Sequence, residues 1–143
     1  MYAKGHYYLY KKKNPFKHLI YPLPSSNGHG IHAGMDIENN LRFGPNAKWV
    51  DSIEYSFDEN TLDEFCNSIK SYWINFDPSC LLPDYTGIRS KIVAEGEGSQ
   101  DFEILDASDH GLENLIHLQG IDSPGLTSSL SIAAEVISKL GIH

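Results

Sequence analysis

Gly28-His29-Gly30-Ile31-His32-Ala33, continuing as Gly34-Met35-Asp36-Ile37-Glu38-Asn39-Asn40-Leu41-Arg42-Phe43-Gly44-Pro45, is the stretch that decides between two folds. Its first six residues fit G-x-G-x-x-[G/A], the fingerprint with which a strand-loop-helix unit grips a dinucleotide. That fingerprint works only when a helix opens in the loop, because the free N–H groups of the helix start bind the pyrophosphate. Here Ile31, Ala33, Met35 and Ile37 alternate with His32, Gly34, Asp36 and Glu38, the period-two pattern of a half-buried strand. Asn39-Asn40 then reads as a turn, 41–43 as a short return strand and Gly44-Pro45-Asn46 as another turn. The stretch is therefore part of an antiparallel meander, and its glycines form a turn whose backbone stays open to a ligand.

Outward from this hairpin the same grammar holds. Tyr7-Tyr8-Leu9-Tyr10 reads as a strand before the Lys11-Lys12-Lys13-Asn14-Pro15 turn, and 18–23 as the next, ended by Pro24. A helix is predicted from near Thr61 to before Pro78. Asp58 or Asn60 stands at its cap, Glu64 lies three after Thr61, and Leu62, Phe65, Ile69 and Tyr72/Trp73 recur at helical spacing. Residues 87–93 form a further strand. Residues 102–105 and 115–118 form two more, joined through His110-Gly111. Leu126, Leu130, Ala133, Ala134, Ile137 and Leu140 give 126–140 a broad apolar helical face that should be mostly buried, with Gly141 at the C-cap. The order β-β-β-β-α-β-β-β-α is an α+β arrangement dominated by antiparallel sheet.

Composition bounds the function. A chain of 143 residues, 41% hydrophobic, has the size of one ordinary domain and enough apolar residues for a core. With 19 acidic against 11 basic residues the net charge is -8, which argues against a nucleic-acid partner needing a basic face. Two cysteines, Cys66 and Cys80, and no signal-like start point to a reducing, cytoplasmic setting; peripheral attachment to a membrane stays open. No run approaches the roughly 20 apolar residues that cross a bilayer.

Three features carry candidate chemistry. His29 and His32 are three apart, but no cysteine cluster or H-E-x-x-H completes a metal site, so no metal is assigned; His32 reads as a polar or acid–base contact or as an ordinary surface histidine. Arg89, one of two arginines, follows Tyr85-Thr86-Gly87 between Ile88 and Ile92; its planar fork suits a carboxylate or phosphate, or equally a structural ion pair. Last, a strand runs into Gly120-Ile121-Asp122-Ser123-Pro124-Gly125-Leu126-Thr127-Ser128 and a long helix. Unpaired N–H groups at that helix start would stabilise negative charge, Gly125 would admit a flat ligand, and Thr127 or Ser128 would cap. A plain capped turn is the alternative.

Several runs, in order, carry a resemblance: 4–8 (Lys-Gly-His-Tyr-Tyr), 18–24, 30–32, 41–45, 83–91 (Pro-Asp-Tyr-Thr-Gly-Ile-Arg-Ser-Lys) and 120–130. Over nearly the whole chain the sequence resembles the C-terminal half of FAD-dependent oxidoreductases of the L-2-hydroxyglutarate dehydrogenase type. These belong to the D-amino-acid-oxidase-like group, whose members often carry the name glycerol-3-phosphate dehydrogenase. The resemblance implies a substrate-binding antiparallel sheet domain (1–112) with a flanking helix. It also implies a C-terminal strand-loop-helix (113–143) belonging to an otherwise missing FAD-binding domain. It matches Arg89 to the family's substrate-side or flavin-side arginine and His32 to a polar residue near the substrate, both as catalytic residues, and sets Gly120, Ile121, Asp122, Ser123, Pro124, Gly125, Leu126 and Thr127 against the flavin. In the family pattern a Pro follows Arg89 and a Glu stands at 122; here they are Ser90 and Asp122.

The implied reaction is hydride transfer from a small 2-hydroxy acid to flavin. FAD is the cofactor of the complete enzyme, and this chain alone is expected to be inactive and to bind FAD weakly, since the pyrophosphate grip is elsewhere. The implied partner is an N-terminal FAD-binding portion or a separately encoded half, with a homodimer through the C-terminal helix as another cover for its apolar face. A non-catalytic binding module and an enzyme acting on glycerol 3-phosphate are the competing readings.

Overall fold

A computed structural model describes residues 1–23, 30–98 and 100–142. The chain falls into two compact units, one of residues 2–89 and the other of residues 90–143 joined by Met1. These compact units meet at Arg89/Ser90. Residues 90–112 pack with the C-terminal elements because their one strand pairs with the strand that leads into the last helix.

The first unit is built on β1 (Tyr2–Tyr10), the centre of a five-stranded sheet. β2 (Ala33–Met35) pairs antiparallel with β3 (Leu41–Phe43), and β3 with β1 in a register that sets Phe43 opposite Tyr8 and Arg42 opposite Leu9. β4 (Lys48–Val50) lies antiparallel to β1 farther along, with Trp49 opposite Ala3. β5 (Leu81–Ser90) also pairs with β1. Strand alternation sends Tyr8 and Tyr10 into the core and Tyr7 and Leu9 to the other face.

The core forms where α1 (Leu62–Tyr72) lays Phe65, Cys66 and Ile69 onto Tyr8, Tyr10, Leu41 and Phe43. Asp63 and Glu64 in its first turn and Lys70 in its last complement the helix dipole. Asp58 caps the short 3-10 turn just before the helix, and Glu64 instead accepts a hydrogen bond from Asn46. Buried Thr61 donates to the Asp58 carbonyl and meets the Tyr8 hydroxyl at 3.0 Å, which ties the helix start to the central strand. At the helix end the Tyr72 hydroxyl donates to the Ile31 carbonyl.

In the second unit β6 (Glu103–Leu105) and β7 (His117–Gln119) pair antiparallel, with α2 (Ala107–His110) between them. The final helix α3 (Gly125–Lys139) is followed by Gly141 at φ +68°, as a C-terminal glycine predicts. Lys139 reaches back to Asp106 at the α2 cap.

The order of elements is α+β with antiparallel pairing, and it differs from the sequence expectation in particulars. The strand expected at 18–23 is reduced to one bridge between Ile20 and Ala33, because Pro22 carries no N–H for a ladder. β5 begins at Leu81 and tolerates Pro83, as a strand pairing on one edge can. α2 replaces part of the expected hairpin connection. Asp106 and Asp109 form a reciprocal capping box there, and Gly111 closes it at φ +77°. Finally, α3 is not mostly buried: Leu126 and Leu130 are 90% and 85% exposed, and Gly125 is its one buried residue.

Candidate active site

The face of the first sheet turned away from α1 gathers aromatic and basic groups. The Tyr7 ring stacks on Tyr85 with centroids 4.4 Å apart and 14° between planes. Burial pushes the Tyr7 phenol above its ordinary pKa, the neighbouring Tyr85 adds to the rise, the Arg89 charge opposes it, and Tyr21 contributes to it again. Tyr21 in turn packs against the His32 ring at 4.2 Å. His32 is half-buried, and its carbonyl accepts from the Gly44 amide at 3.1 Å.

The two arginines have opposite situations. Arg42 is committed: its Nε lies 2.5 Å from Asp84 Oδ2, and its Nη1 donates to Asp36 Oδ2. The Asn40 side chain and amide, with Arg42 behind them, hold the Asp36 carboxyl at about 2. Asp36 is therefore a structural anion and is taken from any role beside His32. Arg89, by contrast, buries its Nε without a hydrogen-bond partner among the described residues and enters no ion pair there. A buried donor left unmatched costs about 1–3 kcal/mol, so a group that supplies an acceptor is favoured at this point.

The 120–128 loop belongs to the second unit and is shaped by two glycines. Gly120 holds φ +67°, and a Cβ there would stand 3.1 Å from Ile92 Cδ1. At Gly125 a Cβ would come within 2.6 Å of Ile121 Cγ2, so only glycine lets the helix begin against Ile121. The Asp122 carboxylate receives the Lys91 ammonium, while its carbonyl accepts from the Gly125 amide. Capping differs from expectation. The N-cap is Pro124, and the Thr127 and Ser128 hydroxyls turn back to the Pro124 carbonyl at 2.9 and 3.0 Å. Helix geometry leaves the Leu126 and Thr127 amides without an intrahelical acceptor at the positive end of α3. Two amides are fewer donors than a pyrophosphate calls for, and Gly125 does not open the backbone to a flat ligand as the sequence suggested, because Ile121 fills the space in front of it.

Among the described residues no group of three or more His, Cys, Asp or Glu side chains is placed to hold a metal ion. Gly30, Ile31, His32 and Ala33 lead into β2 and not into a helix, which removes the dinucleotide reading of that turn; Gly28 and His29 lie outside the described residues. A cavity lined by Asp106, Glu113, Asn114 and Lys139 shares no residue with either candidate site. No helix among the described residues is long and apolar enough to cross a membrane. Tyr7, Tyr21 and Tyr85 were not singled out from the sequence. The signal for Tyr7 was present in the alternation of β1, which puts it opposite Tyr8 and Tyr10.

Comparison with known proteins agrees with this architecture. The chain is 33% identical to the mitochondrial L-2-hydroxyglutarate dehydrogenase of Arabidopsis thaliana, covering 96% of this chain and 31% of that protein. It is 30% identical to a glycerol 3-phosphate oxidase of Mycoplasma genitalium, over 97% of this chain and 36% of the relative. The chain thus spans about a third of the length of these curated relatives. Its fold matches the dithionite-reduced, FAD-bound L-alpha-glycerophosphate oxidase of Mycoplasma pneumoniae with a TM-score of 0.75 at 19% identity, over 98% of this chain and 36% of that one. The family model described as DAO, FAD dependent oxidoreductase, matches residues 1–139, and the chain belongs to that family.

Proposed function

We propose that this chain is the C-terminal part of an FAD-dependent oxidoreductase that oxidises a small 2-hydroxy acid such as L-2-hydroxyglutarate. The observation that carries this reading is the Arg89 guanidinium, with a buried, unmatched Nε on an aromatic sheet face. The substrate class follows the similarity to the plant L-2-hydroxyglutarate dehydrogenase. Arg89 holds and orients a substrate carboxylate through its planar fork. His32 takes the proton of the substrate C2 hydroxyl on a ring nitrogen as the carbon is oxidised. The rings of Tyr7, Tyr21 and Tyr85 keep water from this face. FAD, when bound, supplies the acceptor for the hydride that leaves C2. The Leu126 and Thr127 amides at the start of α3 would hold an acceptor group of that cofactor, on a loop shaped by Gly120 and Gly125. The remaining cofactor contacts come from an N-terminal FAD-binding portion, joined in one chain or separately encoded, whose docking covers Leu126 and Leu130. A reducing cytoplasmic setting goes with the two free cysteines.

The test is anaerobic flavin bleaching in the holoenzyme formed with the FAD-binding portion. L-2-Hydroxyglutarate is expected to reduce the flavin, and Arg89→Lys to raise the substrate requirement far more than it disturbs folding. FAD titrated against the 143-residue chain alone should bind weakly, and tight stoichiometric binding would contradict the division of labour. The similarity to glycerol 3-phosphate oxidase and dehydrogenase supports a second reading, in which Arg89 holds a phosphate. Bleaching by glycerol 3-phosphate and not by the hydroxy acid would select it.

A further inference from the structure

The peptide that joins Ile31 to His32 is tied to the core helix by one side chain. In the last turn of α1 the Tyr72 hydroxyl donates to the Ile31 carbonyl at 3.0 Å. Ile31 is 3% exposed and lies ahead of β2, so its carbonyl takes no part in the strand ladder, and among the described residues no backbone amide reaches it. Burial pushes the Tyr72 phenol far above its ordinary pKa, which keeps it protonated and donating. The other polar groups around His32 are held by backbone. The Gly44 amide donates to the His32 carbonyl at 3.1 Å, and the Ala33 amide to the Ile20 carbonyl at 3.0 Å. Behind them Gly30 turns at φ +69° against Pro22, where a Cβ would stand 2.8 Å from Cγ. From this clamped backbone the His32 ring meets the Tyr21 ring at 4.2 Å. Tyr72 thus links a helix anchored by wholly buried Phe65 and Ile69 to the residue before His32.

Resting on the reading of His32 as the proton acceptor, we propose that Tyr72 is its positioning residue. By holding the Ile31 carbonyl, it fixes the peptide from which the His32 ring is aimed at the substrate hydroxyl. Proton transfer requires the ring nitrogen within hydrogen-bond reach, and a misplacement of about 1 Å can cost about a hundred-fold in rate. Without the hydroxyl the buried Ile31 carbonyl is unmatched, which favours movement of the turn away from the helix. Tyr72 touches no substrate in this arrangement, so it serves turnover and not substrate binding.

Tyr72→Phe tests this, since it removes the hydroxyl and keeps the ring. Thr61→Val is the control, because it removes the ties to Tyr8 and the Asp58 carbonyl at the other end of the same helix. Loss of helix anchoring alone would affect the two variants alike. In NMR spectra of the 143-residue chain, Tyr72→Phe should weaken the Tyr21–His32 ring NOEs several-fold and move the pH midpoint of the His32 Cε1 proton. Thr61→Val should leave both as in the parent. In the holoenzyme, flavin bleaching at saturating hydroxy acid should slow about 10- to 100-fold in Tyr72→Phe, with the half-saturating concentration unchanged. Parent-like NOEs, parent-like bleaching, or the same changes in Thr61→Val overturn the inference, while slow bleaching in His32→Gln keeps the reading beneath it. Parent-like bleaching in His32→Gln defeats that reading itself.

Discussion

Replacing Gly44 by alanine tests whether the site face and the core are held by one strand crossing. Gly44 sits at φ +138°, a backbone conformation that costs an L-residue about 1–3 kcal/mol. Space is a second obstacle. A Cβ would fall 2.5 Å from the His6 carbonyl oxygen and 3.2 Å from Tyr7 Cα, both backbone atoms of the central strand. These cannot swing aside as a side-chain tip would, so an overpacking cost of about 1–3 kcal/mol adds to the strain. The whole effect is about 2–6 kcal/mol, a large part of an ordinary domain's stability. With a urea slope of about 2 kcal/mol per M, the midpoint should fall by about 1–3 M. Trp49 and Trp73 both lie in the first unit, so tryptophan fluorescence reads its unfolding alone. Gly34→Ala is the matched control. Its Cβ would meet nothing closer than the Arg42 carbonyl oxygen at 3.9 Å, and replacing a strand glycine there should be neutral or mildly stabilising. Equal midpoints for Gly44→Ala and Gly34→Ala would refute the reasoning.

Leu126→Ser with Leu130→Ser should change the stability of the isolated chain by no more than about 0.5 kcal/mol, because both side chains are 90% and 85% exposed; a loss above about 1 kcal/mol in a thermal melt would mean that this face is already covered. Stability should also fall in acid. The Asn40 side chain at Asp36, the Ser56 hydroxyl with Lys4 at Glu54, and the Lys48 ammonium at Asp58 hold all three carboxyls at about 2. Each folded-state value is below the unfolded one, so the contribution is complete above about pH 4.5 and disappears as pH drops toward about 2. Urea midpoints that stay level across that window would contradict it.

The sequence displayed the hairpin, α1 and α3 because each is written in local periodicity. The alternation of 31–35, the spacing of Leu62, Phe65 and Ile69, and the glycine at 141 are local signals. The alternation expected to run on to Glu38 stops at Met35, and Ile37 lies exposed in the turn that Asp36 closes through the Glu38 and Asn40 amides. What the sequence hid depends on pairing or on very short elements. β4 is three residues, α2 is four, and the strand expected at 18–23 loses its ladder to Pro22 within an otherwise good apolar run. At the site, Arg89 was legible as a residue type but not as an unpaired one, since which arginine Asp36 and Asp84 would claim is a tertiary fact. Thr127 and Ser128 looked like caps by type, and the proline ahead of them redirected both hydroxyls to its own carbonyl.

The position of β1 at the centre of its sheet also has a consequence for how the chain is made. β1 precedes every strand it pairs with: β3 and β4 reach it across some 30–50 residues, and β5 across about 80. During synthesis its aromatic-rich backbone emerges before its partner strands, and one side of it waits unpaired until residues 81–90 leave the ribosome. Such long-range closure is slow, and an open edge rich in tyrosine is a template for wrong strands in the interval. A ribosome-held chain arrested before residue 81 should therefore depend on chaperone holding, and one arrested well beyond residue 90 should release it.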